Sequence, residues 1–270
     1  MSTDQLSHVR ARNNVTVSGN PSGRPIVFAH GFGCSSEMWH AVAPRFEDEH
    51  CVVRFDHVGA GRSDLSAYDK GKYDSLHGYA DDVLEILDDL DLTDAVFVGH
   101  SVSAMIGVLA ATKNPARFGA LILVGPSPRY INADGYVGGF ERADIDALLD
   151  SLDANYLGWS ASMAPLIMGN SSQPELGEML TESFCSIDPT IARHFARVTF
   201  LSDNRHDLPL VTTPTLVLQS QQDIIAPLEV GQFVHESIPG SVLVVLDATG
   251  HCPNLSAPDE LTAEIQAFLR

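Results

Sequence analysis

Basic residues are scarce in this chain. Its 270 residues hold 16 Lys and Arg against 35 Asp and Glu, a formal charge of −19. A field of that sign repels phosphate backbones, and no run of Lys or Arg offers a local exception, so nucleic-acid binding is not expected. Cysteine is scarce too. Cys34, Cys51, Cys185 and Cys252 are scattered, with no C-x-x-C pair and no histidine at zinc-finger spacing. That pattern argues against a disulfide scaffold and a zinc module, and suits a reduced, cytoplasmic protein. No two histidines stand at metal-ligand spacing with a third ligand nearby, so no metal is expected. Gly59-Ala60-Gly61-Arg62-Ser63-Asp64 lacks the final glycine of a dinucleotide loop, which removes the one hint of a cofactor. Met1 to Asn14 is polar, without the apolar centre of a secretory leader. The longest apolar stretches, such as Ala120–Val124 and Thr215–Leu218, are strand-length and far from the roughly 20 residues of a membrane span. There is no internal repeat and no low-complexity tract.

What is present is a globular composition, 44% apolar and 19% charged, in a length that suits one large domain or one domain with an insertion. Short β-branched or aliphatic runs recur at Val15–Val17, Pro25–Ala29, Cys51–Phe55, Ala95–Val98, Ala120–Val124, Pro214–Leu218 and Val242–Leu246. Several are apolar throughout, as strands covered on both faces must be. Helical patterns lie between them. Leu76, Tyr79, Ala80, Val83, Ile86, Leu87 and Leu90 recur at three and four, with Asp81, Asp82, Asp88 and Asp89 in the other positions; Leu261, Ile265, Phe268 and Leu269 repeat the period. Strands alternating with helices predict an α/β fold with a mostly parallel, doubly wound sheet. The alternation stops between 129 and 208. That stretch predicts helices over Asp144–Tyr156, Glu175–Phe184 and Thr190–Leu201 and no strand. The expected organisation is therefore a core of 1–128 and 209–270 with a helical cap, 129–208, inserted over one end of the sheet.

The strongest chemical signal is Gly99-His100-Ser101-Val102-Ser103, which follows the apolar run Ala95–Val98 and precedes the helical run Ala104–Ala111. Strand, sharp turn, helix is the setting of a nucleophile elbow, and it makes Ser101 the candidate nucleophile. The far position of the pattern, usually glycine, is Ser103. A serine hydroxyl attacks only when a base takes its proton, and the base is usually a histidine held by a carboxylate. Asp223 follows the strand Pro214–Leu218 and His251 follows Val242–Leu246, so both fall with Ser101 at the C-terminal edge of the sheet, where open α/β sheets bind ligands. Asp203 and Asp247 compete with Asp223 for the carboxylate role. An oxyanion hole requires two N–H donors. Val102 offers one and Phe32, in the loop His30-Gly31-Phe32-Gly33, the other. His100 and His30 read as structural. Phe32, Phe140, Trp159, Met163, Phe200 and Ile224 are the candidate lining of an apolar substrate pocket, with Ile225 next to the last of them.

These motifs, together with Gly125-Pro126-Ser127-Pro128, Gly138-Gly139-Phe140, Asn155-Tyr156 with Trp159, and Gly250-His251-Cys252-Pro253, resemble the α/β-hydrolase subfamily of bacterial RsbQ and the plant strigolactone and karrikin receptors over nearly the whole chain. Phe184-Cys185-Ser186-Ile187-Asp188-Pro189, Ile191-Ala192-Arg193 and Asp223-Ile224-Ile225 are more similar to RsbQ than to the plant receptors. Ser103 is shared with the plant receptors, whereas RsbQ has glycine there. The resemblance implies a triad of Ser101, Asp223 and His251, a helical cap over a closed apolar pocket, and hydrolysis of a small hydrophobic ester or lactone. It also implies a stress-signalling role in a sigma-factor pathway, with a PAS-domain phosphatase as partner. The rival expectation is a slow-turnover ligand sensor whose output is that partner contact.

Overall fold

The computed structural model describes residues 3–270. The chain opens with helix α1 (Thr3–Arg12), then strands β1 (Thr16–Gly19), β2 (Arg24–Ala29) and β3 (His50–Arg54). Helix α2 (Leu76–Asp89) leads into β4 (Ala95–His100), α3 (Val102–Lys113) and β5 (Phe118–Val124). Four helices follow without a strand among them: α4 (Arg142–Ala154), α5 (Tyr156–Met168), α6 (Pro174–Cys185) and α7 (Pro189–Phe200). The sheet then resumes with β6 (Thr215–Gln222), α8 (Leu228–Ser237), β7 (Val242–Thr249), α9 (Pro253–Ser256) and α10 (Pro258–Leu269). Among the described residues no helix is long and apolar enough to cross a membrane.

The seven strands form one sheet in the order β1-β3-β2-β4-β5-β6-β7, antiparallel only between β1 and β3. All seven apolar runs of the sequence are strands, and the fold class is the one expected. The central strand β4 is buried along its whole length, whereas β7 alternates at the sheet's edge. This is what uniform apolarity inside and alternation outside dictate. Helix α3 packs on β4 and β5 with α2 against it, and α8 and α10 pack near β6 and β7.

Two local outcomes differ from the sequence pattern. The helix expected over Asp144–Tyr156 stops at Ala154, because Asn155 leaves the helical region and its side chain accepts from the Gly158 N–H at 3.0 Å, starting α5. Helix α5 is apolar on nearly every side, so it shows no amphipathic stripe. On α2, Asp82 and Asp89 are buried rather than solvated. Lys72 and Tyr73 donate to Asp82 at 2.6 and 2.8 Å, with Arg12 at 3.1 Å, and Arg10 donates to Asp89 at 2.6 Å. The N-terminal helix is thus clamped to α2 by ion pairs. Burial raises the Asp82 carboxyl, against the opposing charges of Arg12 and Lys72.

Candidate active site

Four chain segments converge beyond the C-terminal ends of the strands. The first is the turn after β4. Ser101 has φ +56° and ψ −122°, outside the regions an L residue favours and costing roughly 1–3 kcal/mol. The turn is held from outside: the Ser101 N–H donates to the Val124 carbonyl of β5 at 2.8 Å. Its tightness explains Gly99, where a Cβ would lie 2.4 Å from the Ser103 carbonyl oxygen.

The second and third segments follow β6 and β7. His251 Nε2 is 2.7 Å from Ser101 Oγ, and its Nδ1 is 2.7 Å from Asp223 Oδ2. The other carboxylate oxygen of Asp223 accepts from the N–H groups of Ile225 and Ala226 at 2.8 and 3.1 Å. Every atom of this relay is therefore occupied in one sense: Asp223 accepts from His251 Nδ1–H, and His251 Nε2 accepts from the serine hydroxyl. Burial pushes the Asp223 carboxyl up, but the charge and hydrogen bond of His251 and the two N–H donors outweigh it and hold it below the usual range. The rivals Asp203 and Asp247 are placed elsewhere. Asp203 pairs with Arg129 and Arg205, and Asp247 is an exposed side chain on β7. His100 lies behind the relay, its Nε2–H donating to the His251 carbonyl at 2.7 Å. Burial, followed by the charge of His251, brings its pKa down to about 3, so it is neutral.

The fourth segment is the loop after β2. A Cβ at Gly31 would lie 2.7 Å from His100 Nδ1 and 3.2 Å from the Ser101 Cβ, so only glycine lets this backbone approach the nucleophile. Neither the Phe32 nor the Val102 N–H has a protein acceptor among the described residues. The loop is braced from behind by a chain whose directions are fixed. His57 N–H donates to His30 Nε2 at 3.0 Å, so His30 Nδ1 carries the proton and donates to the Gly31 carbonyl at 2.9 Å. Ser103 Oγ donates to the His30 carbonyl at 2.5 Å and accepts from His57 Nε2 at 2.7 Å. The Ser103–His57 pair imitates a nucleophile and base in distance only. Ser103 is fully buried, its proton is directed at a carbonyl, and His57 Nδ1 meets no carboxylate. This explains a serine where the elbow pattern has glycine: its hydroxyl ties the elbow to the loop.

The cavity in front of Ser101 is small, about 30 Å³, enough for roughly two waters. Phe32, Trp159 and Phe200 line it. Phe32 is the hub: its ring meets those of Trp159, Phe184, Phe195 and Phe200 at centroid distances of 5.8–6.3 Å, joining the loop to the inserted helices. The other three candidate pocket residues lie elsewhere. Ile224 is 55% exposed, because the Asp223 carboxylate draws the N–H groups of Ile225 and Ala226 into a turn that sends Ile225 inward and Ile224 out. Phe140 is half-buried in a backbone bridge to Ile131, and Tyr130 from the same turn takes the wall. Met163 is half-buried on α5 and does not reach the lining, to which α6 contributes Leu180. Sequence reasoning missed Tyr130, Thr199, Cys34 and Cys252 in the wall. Only Cys252, beside His251, carried a positional signal.

The alpha/beta hydrolase family model matches residues 26–265. The chain belongs to the α/β-hydrolase family. Among the relatives of this hydrolase, "Karrikin insensitive 2 receptor CA" of Petunia hybrida is 37% identical over 93% of both chains. A strigolactone esterase of Arabidopsis thaliana is 38% identical over 95% of this chain and 94% of its own. A solved hydrolase from Oleispira antarctica superposes with a TM-score of 0.95 at 42% identity, covering 98% of this chain and 97% of that one. The enzyme class expected from the sequence, a carboxylic-ester hydrolase, agrees with the family and with relatives named as esterases.

Proposed function

We propose that this α/β hydrolase cleaves small, largely apolar esters or lactones through a covalent acyl-enzyme. The observation that carries the reading is the unbroken relay Asp223–His251–Ser101, with both contacts at 2.7 Å, facing a cavity at which two unpaired N–H groups arrive. Ser101 Oγ attacks the carbonyl carbon while His251 Nε2 takes its proton. Asp223 keeps the Nδ1 tautomer in place and offsets the imidazolium charge. The carbonyl oxygen becomes anionic between the N–H groups of Phe32 and Val102, each donor of this kind being worth about 2.7–4 kcal/mol. His251 then protonates the leaving oxygen. Water, deprotonated by the same imidazole, attacks the acyl-enzyme and frees Ser101. The inserted helices, residues 129–208, act as the cap that excludes bulk water. The free state of all four cysteines suits a reducing, cytoplasmic setting.

The test is intact-mass spectrometry with a fluorophosphonate probe on wild type and Ser101→Ala, beside hydrolysis of p-nitrophenyl butyrate. One added probe mass and ester turnover in the wild type, with neither in the variant, supports the reading. A wild type that turns over the ester equally well after Ser101→Ala sinks it.

A second reading is favoured by the narrowness of the cavity and by relatives named as receptors. In it, turnover is slow and the ligand-bound form signals, as the resemblance to RsbQ implies, to a PAS-domain phosphatase in a stress pathway. Multiple fast turnovers argue for the first reading. A long-lived adduct with ligand-dependent capture of a purified PAS-domain phosphatase argues for the second.

A further inference from the structure

A polar side chain contributed by the inserted helices lines the cavity outside the triad. Thr199, next to the last residue of α7, is 1% exposed, and its Oγ1 has no hydrogen-bond partner. A helical threonine or serine ordinarily returns its hydroxyl to the carbonyl four residues back. Other hydroxyls in the inserted helices do so: Ser160 to Tyr156, Ser162 to Gly158 and Thr181 to Gly177, at 2.8–2.9 Å. Thr199 does not. Much of the wall around the cavity, including Phe200, Phe184 and Leu180, is apolar. Another unpartnered polar atom of the lining, His100 Nδ1, is shielded by the close approach of Gly31. Ser101 Oγ and His251 Nε2 meet at the nucleophile, 2.7 Å apart. The cavity thus has a reactive polar end on the sheet and an unpaired threonine hydroxyl contributed by the inserted helices.

We propose that Thr199 is a specificity residue that hydrogen-bonds a second oxygen of the substrate, away from the scissile carbonyl. The preferred substrate is then a small ester or lactone carrying an ether, carbonyl or hydroxyl oxygen on an otherwise apolar body, rather than a plain hydrocarbon ester. This rests on the serine-hydrolase reading above. The physical basis is asymmetry: a site holding a buried, unpaired hydroxyl discriminates against ligands that leave it unpaired.

The test uses pairs that differ by one oxygen in place of a methylene: p-nitrophenyl methoxyacetate against p-nitrophenyl butyrate, and 1,4-dioxan-2-one against δ-valerolactone. kcat/KM is measured for wild type, Thr199→Val and Thr199→Ser. Comparing the ratio within each pair across variants cancels the intrinsic reactivity of the compounds. Thr199→Val is expected to lower the oxygenated-to-hydrocarbon ratio roughly 3- to 10-fold, the size of one neutral hydrogen bond. Thr199→Ser, which keeps the hydroxyl, is expected to retain the wild-type ratio. A ratio moving less than about 2-fold in both pairs overturns the proposal. The same pairs are titrated against Ser101→Ala and Ser101→Ala/Thr199→Val by Trp159 fluorescence. If the wild type hydrolyses none of the compounds, the hydrolase reading fails, while these dissociation constants still decide for or against Thr199.

Discussion

Acid should destabilise this protein through its buried neutral histidines, and His100 allows the effect to be isolated. It is 2% exposed, gives its one N–H to the His251 carbonyl, and has a pKa brought down to about 3, first by burial and then by the His251 charge. In the unfolded chain it titrates near 6.5. Between those values the unfolded state binds a proton that the folded state refuses, so stability falls as pH drops through 6.5 and keeps falling to about 3. Each pH unit in that window is worth about 1.4 kcal/mol for one group, so going from pH 7.5 to 5.5 costs about 1.4 kcal/mol through His100 alone. His30 and His57 are shifted downward by burial as well and add losses of the same sign. The perturbation is His100→Gln, which keeps an amide N–H for the His251 carbonyl and removes the titration. Urea unfolding of both proteins at the two pH values gives the comparison. The variant should lose about 1.4 kcal/mol less than the wild type. Equal losses would show that His100 takes up a proton in the folded state or that its site opens to water, and the electrostatic account of this region would be wrong.

Asp223→Asn should keep the fold and lower kcat about 10⁴-fold by holding the wrong histidine tautomer, measured with p-nitrophenyl butyrate; a loss under tenfold would remove Asp223 from the relay. Ser103→Ala leaves the His57 N–H and the His30 carbonyl without their shared partner. It should cost roughly 1–3 kcal/mol in denaturant and lower kcat more than it raises KM, because the loop it braces serves the transition state. An unchanged kcat would reduce Ser103 to packing. Asp82→Ala removes the buried acceptor of the Tyr73 hydroxyl and of Lys72, while Arg12 keeps Glu85, and should cost roughly 1–3 kcal/mol, read from the urea midpoint; a cost below about 0.5 kcal/mol would mean that water replaces the carboxylate.

The sheet was legible because buried parallel strands must be apolar along their length, and each such run, from Pro25–Ala29 to Val242–Leu246, lies in a strand. The strand ends in turn located Ser101, Asp223 and His251 on one edge before any distance was known. Legibility ended where periodicity did. Beyond a strand end no repeat tells inside from outside, so Ile224 and Ile225 were indistinguishable until the Asp223 turn fixed them. Helix α5 has no polar face, and only Asn155 separates it from α4, so its start was hidden. The burial of Asp82 and Asp89 depends on arginines from α1, some 70 positions earlier, which no local pattern reports. Tyr130 and Thr199 reach the cavity from a loop and a helix whose placement is decided by packing around Phe32.

The relay is spread widely along the chain, and this has a consequence for synthesis. The elbow serine is made 150 residues before the imidazole that activates it, and its strained turn needs the Val124 carbonyl of the next strand to hold it. A nascent chain that has completed β5 therefore carries a serine with ordinary alcohol reactivity. In the proposed mechanism chemistry begins only when β7 has added to the sheet's edge and delivered His251, and the same step joins the His251 N–H to the Ile167 carbonyl of α5. The last strand thus switches on the nucleophile and fastens the inserted helices above it, so that unfinished or truncated chains are chemically silent.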